Sequence, residues 1–104
     1  MILGELIYSG IAYTGASPRG GTKAIFSVDT SQITGGTLVV TVQHRNASQN
    51  ADADWATLVA FGNITATGLS TATASEIKEQ VRIKYDLSGS TNVARVFTFE
   101  PVWE

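Results

Sequence analysis

Along most of this chain apolar and polar residues alternate with a period of two, which predicts strands rather than helices. Gln80 to Leu87 is the cleanest case. Val81, Ile83, Tyr85 and Leu87 fall on one face, and Arg82, Lys84 and Asp86 on the other. Leu38, Val40 and Val42 share a face, with Thr37, Thr41, Gln43 and Arg45 opposite. In Thr22 to Asp29, Ala24, Phe26 and Val28 alternate with Lys23, Ser27 and Asp29, and Ile25 interrupts the polar set. Glu5 to Thr14 reads as a strand broken at Gly10, the mark of a bulge. Trp55 to Phe61, Leu69 to Thr73 and Val93 to Phe99 complete the set, the last with Phe97 and Phe99 inward.

Turns are expected at Ala16 to Gly21 and Thr34 to Gly36, and a polar loop at Asn46 to Asp54. Short strands with turn signals every 8–12 residues or so predict a sandwich or barrel. One apolar and one polar face per strand fits antiparallel sheets with one wet side. The expected fold is all-β: an antiparallel β-sandwich, jelly-roll or Ig-like, of about 7–8 short strands. Ala74 to Glu79 lacks the alternation, and Ser75 is placed to cap a single helical turn there. That turn, near 75–79, is expected to carry the chain from one sheet to the other.

Composition agrees with this picture and narrows the function. Thirteen Thr and nine Ser in 104 residues suit pleated, half-wet surfaces. The length fits a single domain, 1–104, with roughly 5,600 Å² of folded surface. With no Cys, a disulfide framework, a Cys-based zinc site and a Cys nucleophile are excluded. Seven basic against nine acidic residues argue against nucleic-acid binding by bulk charge. No apolar run has the length of a membrane-spanning helix. Met1 to Glu5 has no basic region and an acid at position five, so it does not read as a signal peptide.

Candidate chemistry is sparse. His44, the single histidine, shares parity with Val42 at a strand end, and Asp52 or Asp54 could orient it as a base. No Ser or Thr lies in a nucleophile elbow, so a hydrogen-bonded strand-end histidine is the simpler reading. Asn50, Asp52 and Asp54 have the spacing of the start of a calcium loop. Trp55 and Phe61 then occupy the positions where that loop needs Gly and Glu. Gly20-Gly21-Thr22-Lys23 lacks the spacing of a phosphate loop. The acids form no defensible pair for glycoside hydrolysis. The sequons Asn46-Ala47-Ser48 and Asn63-Ile64-Thr65 carry little meaning without a signal peptide. No catalytic, metal or cofactor residues are therefore assigned.

Binding is better represented. Ile25 and Val39 fall on faces that should be wet, and both ends are apolar, with Ile2 and Leu3 at one and Val102 and Trp103 at the other. Such surfaces are usually covered by a partner, most often another copy of the chain. Trp103 is expected to dock on a neighbouring subunit. Arg19, Lys23 and Arg45 are candidate contacts to an acidic surface. Trp55 with Tyr13 is the one aromatic pair that could serve as a sugar platform.

Five strings have a familiar look: Val42 to Asn46, Asp54-Trp55, Ile64 to Gly68, Lys78 to Tyr85, and Pro101 to Trp103. Together they resemble small β-rich decoration or cement proteins from the head genes of tailed bacteriophages. The similarity spans about Leu38 to the C-terminus and includes no catalytic signature. It implies a non-catalytic virion protein on the outer capsid surface that clamps the major capsid protein, often as a homotrimer. A homodimer is the second choice. The alternatives are a carbohydrate- or receptor-binding module and a head–tail joining or tail protein. No nucleic acid, membrane or cofactor enters this reading.

Overall fold

The computed structural model describes residues 2–89, 91–99 and 101–104, with the side chains of 2–6 and 8 excepted. Its strands are β1 (Ile2–Tyr8), β2 (Gly10–Tyr13), β3 (Ser17–Pro18), β4 (Ala24–Ile33) and β5 (Leu38–Arg45). They continue with β6 (Ala56–Ala60), β7 (Gly68–Ala74), β8 (Gln80–Leu87), β9 (Val93–Phe99) and β10 (Val102–Trp103). All the pairings are antiparallel. Two sheets pack face to face as a β-sandwich.

Two of the strands are broken in the middle. β10 resumes the line of β9 along β4, with Thr98 opposite Val28 and Val102 opposite Ile25. β3 likewise resumes β2 along β8. The first sheet is then ordered β1, β9 with β10, β4, β7, and the second β2 with β3, β8, β5, β6. Counting each broken strand once, the chain orders are 1-8-3-6 and 2-7-4-5. That is jelly-roll wiring, an eight-stranded double Greek key, and not the Ig arrangement.

The core follows the alternation. Ala24, Phe26 and Val28 of β4 face Leu38, Val40 and Val42 of β5 and Val81, Tyr85 and Leu87 of β8 across the sandwich. The exception is β9. Ala94, Val96 and Thr98 are buried, while Phe97 and Phe99 have the opposite parity and are half-buried. Parity is one choice for a whole strand. Turning the phenyl rings inward would expel Thr98, which hydrogen-bonds the buried Tyr85 hydroxyl. That hydroxyl would then lose a partner in the core, at a cost that opposes the gain from burying the rings.

The crossing from β7 to β8 does pass between sheets, but it contains no helical turn. Glu76 has a φ of 57°, a left-handed conformation that interrupts any right-handed helix. Ile77 is buried instead, and its N–H donates to the Thr22 carbonyl at 3.1 Å. The one helical element among the described residues is a 3-10 turn at Asp52–Asp54, inside the segment read as polar loop. Gly10, at φ 115°, lets a nearly continuous strand bend at Ser9 from the first sheet into the second.

Candidate functional site

The outer face of the second sheet carries the densest cluster of side chains. Arg82 projects outward from β8, and its guanidinium lies 4.2 Å from the Tyr13 ring centroid and 4.6 Å from that of Trp55. Arg45, at the end of β5, lies 4.4 Å from the same Trp55 ring. Arg82 Nε donates to Gln43 Oε1 at 2.8 Å, and its Nη1 lies 3.5 Å from an Asp52 carboxylate oxygen. Arg45 Nε donates to Gln80 Oε1, and its Nη1 to the Ala51 carbonyl, both at 3.1 Å. Each such stack is worth about 0.5–1 kcal/mol at an exposed site and more when desolvated. Together these contacts pin the 51–55 loop to the sheet. Trp55 is buried beneath them, so it offers no bare face to a sugar.

Apolar side chains stand outside the sandwich in two places. On the second sheet, Ile11 and Val39 flank Asp86 in one cross-strand row. Ile11 is 56% exposed and Val39 half-buried. On the first sheet, Ile25 lies between Thr73 and Val102, and Leu69 lies opposite Asp29. Val102 and Leu69 are 60% and 64% exposed. Ile25 and Val39 were expected on wet faces. Leu69 was missed, although its opposition to Asp29 marks an outward position. Ile11 and Tyr13 were harder to place, because the corner at Gly10 resets parity after Ile7.

Two of the other expected interface residues, Trp103 and Arg19, are tied into the fold. Trp103 is half-buried. It packs edge-on against Phe26, with ring centroids 6.1 Å apart and planes at 77°. Gly20 lies beneath the indole, and Gly21 faces the Glu104 carbonyl, so this glycine pair admits the C-terminal strand rather than a phosphate. Arg19 Nη1 donates to the Ile77 carbonyl at 2.6 Å and thereby braces the sheet crossing. Lys23 is exposed, and its carbonyl accepts the Glu104 N–H. The side chains of Ile2 and Leu3 lie outside the described residues, and their backbones pair with Phe99 and Thr98.

Where β3 and β10 end the two sheets, the seam between them opens as a cleft of about 330 Å³. Phe26, Val42, Val81, Ile83, Phe99 and Trp103 line it, with Thr14 and Ser17 at its polar side. It suits an apolar group and holds no acid–base pair.

His44 accepts a hydrogen bond at Nδ1 from the Lys78 N–H, 3.2 Å away. Burial lowers its pKa from 6.5, and the Lys78 charge lowers it further. Neither aspartate serves it. Asp52 faces Arg82, and Asp54 Oδ2 accepts the Ala51 N–H at 3.1 Å. Among the described residues, no three His, Asp or Glu side chains gather to hold a metal ion. No protein family, curated protein or solved structure matches this chain.

Proposed function

We propose that this chain is a structural virion protein of the capsid decoration or cement type. It binds the outer surface of the shell built by the major capsid protein and stabilises it, without catalysis and without a cofactor. It acts as a homo-oligomer, a trimer matching a threefold site or a dimer. The observation that carries this reading is the division of labour among its side chains. Arg19, Arg45, Arg82, His44 and Asp54 are engaged in holding the fold, whereas Ile11, Val39, Leu69 and Val102 stand outside a closed sandwich. That distribution suits adhesion through extended surfaces rather than reaction at a point. Jelly rolls serve in viral capsids and lectins, a likeness of architecture only. Repeated attachment makes modest single contacts sufficient, because every further contact of an oligomer is intramolecular.

Co-sedimentation with assembled shells of a major capsid protein from the same genome tests the reading. Saturable binding with a fixed ratio to capsid subunits is expected. A protein that stays in the supernatant with both immature and mature shells refutes it. The sugar-binding alternative has no similar support, since Arg45 and Arg82 occupy the aromatic faces it needs.

A further inference from the structure

We propose that two copies of this chain pair edge to edge through β7, antiparallel about a twofold axis, joining their first sheets into one. A sheet edge is a row of unpaired N–H and C=O groups, and proteins usually guard it with charge, proline, bulges or shortness. The other edges of this sandwich have such guards. β1 contains Glu5. β2 is four residues long and is separated from β3 by the break before Ser17, and β3 ends in Pro18. β6 has five residues and a register shift against β5. β7 has none of these protections. It runs Gly-Leu-Ser-Thr-Ala-Thr-Ala over seven residues, in unbroken register with β4. Among the described residues, β4 is its only strand partner, and no backbone bond from a loop reaches it. It also lies in the longest charge-free run of the chain, Trp55 to Ser75.

The neutrality of β7 is what identifies the occupant as a second copy. A twofold antiparallel pairing places the central residue opposite itself, so any charge there would meet its own sign. Centred on Thr71, the pairing sets Thr71 against Thr71, Leu69 against Thr73, Ser70 against Ala72, and Gly68 against Ala74. Thr–Thr and apolar–Thr neighbours are favourable cross-strand pairs, and no like charges oppose. Leu69, 64% exposed in the single chain, gains cover from the facing strand. The inference stands on this edge alone and requires no capsid.

Light scattering behind size exclusion tests it, on the wild type and on Thr71→Lys and Thr71→Glu. The wild type is expected at twice the 11.0 kDa chain mass, persisting through a tenfold dilution from about 100 µM. Each charged variant should elute at the mass of one chain and remain cooperatively folded, with its thermal midpoint lowered only by the lost association, since edge charges are a normal guard. Mixing the two variants should restore the double mass, because Lys then faces Glu. Leu69→Lys, at a different position on the same edge, should also give single chains. A wild type at the mass of one or three chains overturns the proposal. So does a Thr71→Lys protein, or a Leu69→Lys protein, that keeps the double mass.

Discussion

The C-terminal strand is held by a close approach that can be measured. A Cβ added at Gly20 would come within 2.6–2.8 Å of three atoms of the Trp103 indole, closer than side chains tolerate. In Gly20→Ala the indole must therefore shift by several tenths of an ångström, away from its contact with Phe26. Overpacking of this kind costs about 1–3 kcal/mol, and the end position of the arm places this site near about 1.5 kcal/mol. Trp103→Ala alone removes a half-buried ring and its edge-on aromatic contact. Full burial of an aromatic is worth about 3–5 kcal/mol, so about 2 kcal/mol is expected here, or about 10 °C in Tm. The informative comparison is the double variant. Without the indole the clash is gone, and Gly→Ala at an ordinary φ stabilises by about 0.4–1 kcal/mol through the unfolded chain. Gly20→Ala should thus change sign between the two backgrounds, a coupling of about 2 kcal/mol. Urea unfolding of the four proteins measures it. Effects that add to within about 0.5 kcal/mol would refute the packing argument and return Trp103 to the role of a free docking residue.

Three further outcomes are expected. Thr30 is buried and its hydroxyl has no hydrogen-bond partner among the described residues, so Thr30→Val should stabilise by about 1 kcal/mol in urea unfolding, and a loss of stability would count against that picture. Arg82→Lys loses the planar stack on Tyr13 and Trp55 and the Nε bond to Gln43, and should cost about 1–2 kcal/mol while making Trp55 emission more accessible to quenchers. His44 has a folded pKa below 6.5, so the unfolded chain takes the proton first as the pH falls. Its contribution is complete above 6.5 and shrinks below it until the folded pKa is reached. His44→Gln should remove that step from the difference between stabilities at about pH 7.5 and about pH 5.5.

Much of the sandwich is legible in the order of residues, and the misses have physical causes. β8 and β5 each bury most of one face, so Val81, Tyr85, Leu87, Leu38, Val40 and Val42 declare themselves by alternation, while Ile83, of the same parity, is only half-buried where the cleft opens. β9 carries apolar residues on both faces, and size alone pointed to Phe97 and Phe99. The hydrogen bond between the Thr98 and Tyr85 hydroxyls decides otherwise, and it joins residues whose proximity no local pattern reveals. The segment at 75–79 matches a capping signal, yet the pull of Ile77 into the core and the left-handed Glu76 override it. Trp103 looked free because its partners, Phe26 and Gly20, are about eighty residues away in sequence. Separation along the chain also hides the jelly-roll order and the Arg82 stack. Neither Tyr13 nor Trp55 is near Arg82 along the chain, and only the folded sheet makes them neighbours.

The wiring has a consequence for synthesis. β9 lies between β1 and β4, with Ile2 opposite Phe99, and β8 lies between β2 and β5. β9 and β8 thus leave the ribosome later than the strands on either side of them. Until they arrive, β1 and β2 have no partners, and the earlier strands can form only the β5–β6 and β4–β7 pairs. Closure over loops this long is slow, on the order of milliseconds to seconds for such β topologies. During that wait β7, the least protected strand, is already made and exposed to neighbouring nascent chains. Expression at low temperature, or with chaperones that shield strand edges, should raise the soluble yield more than any change to the finished core.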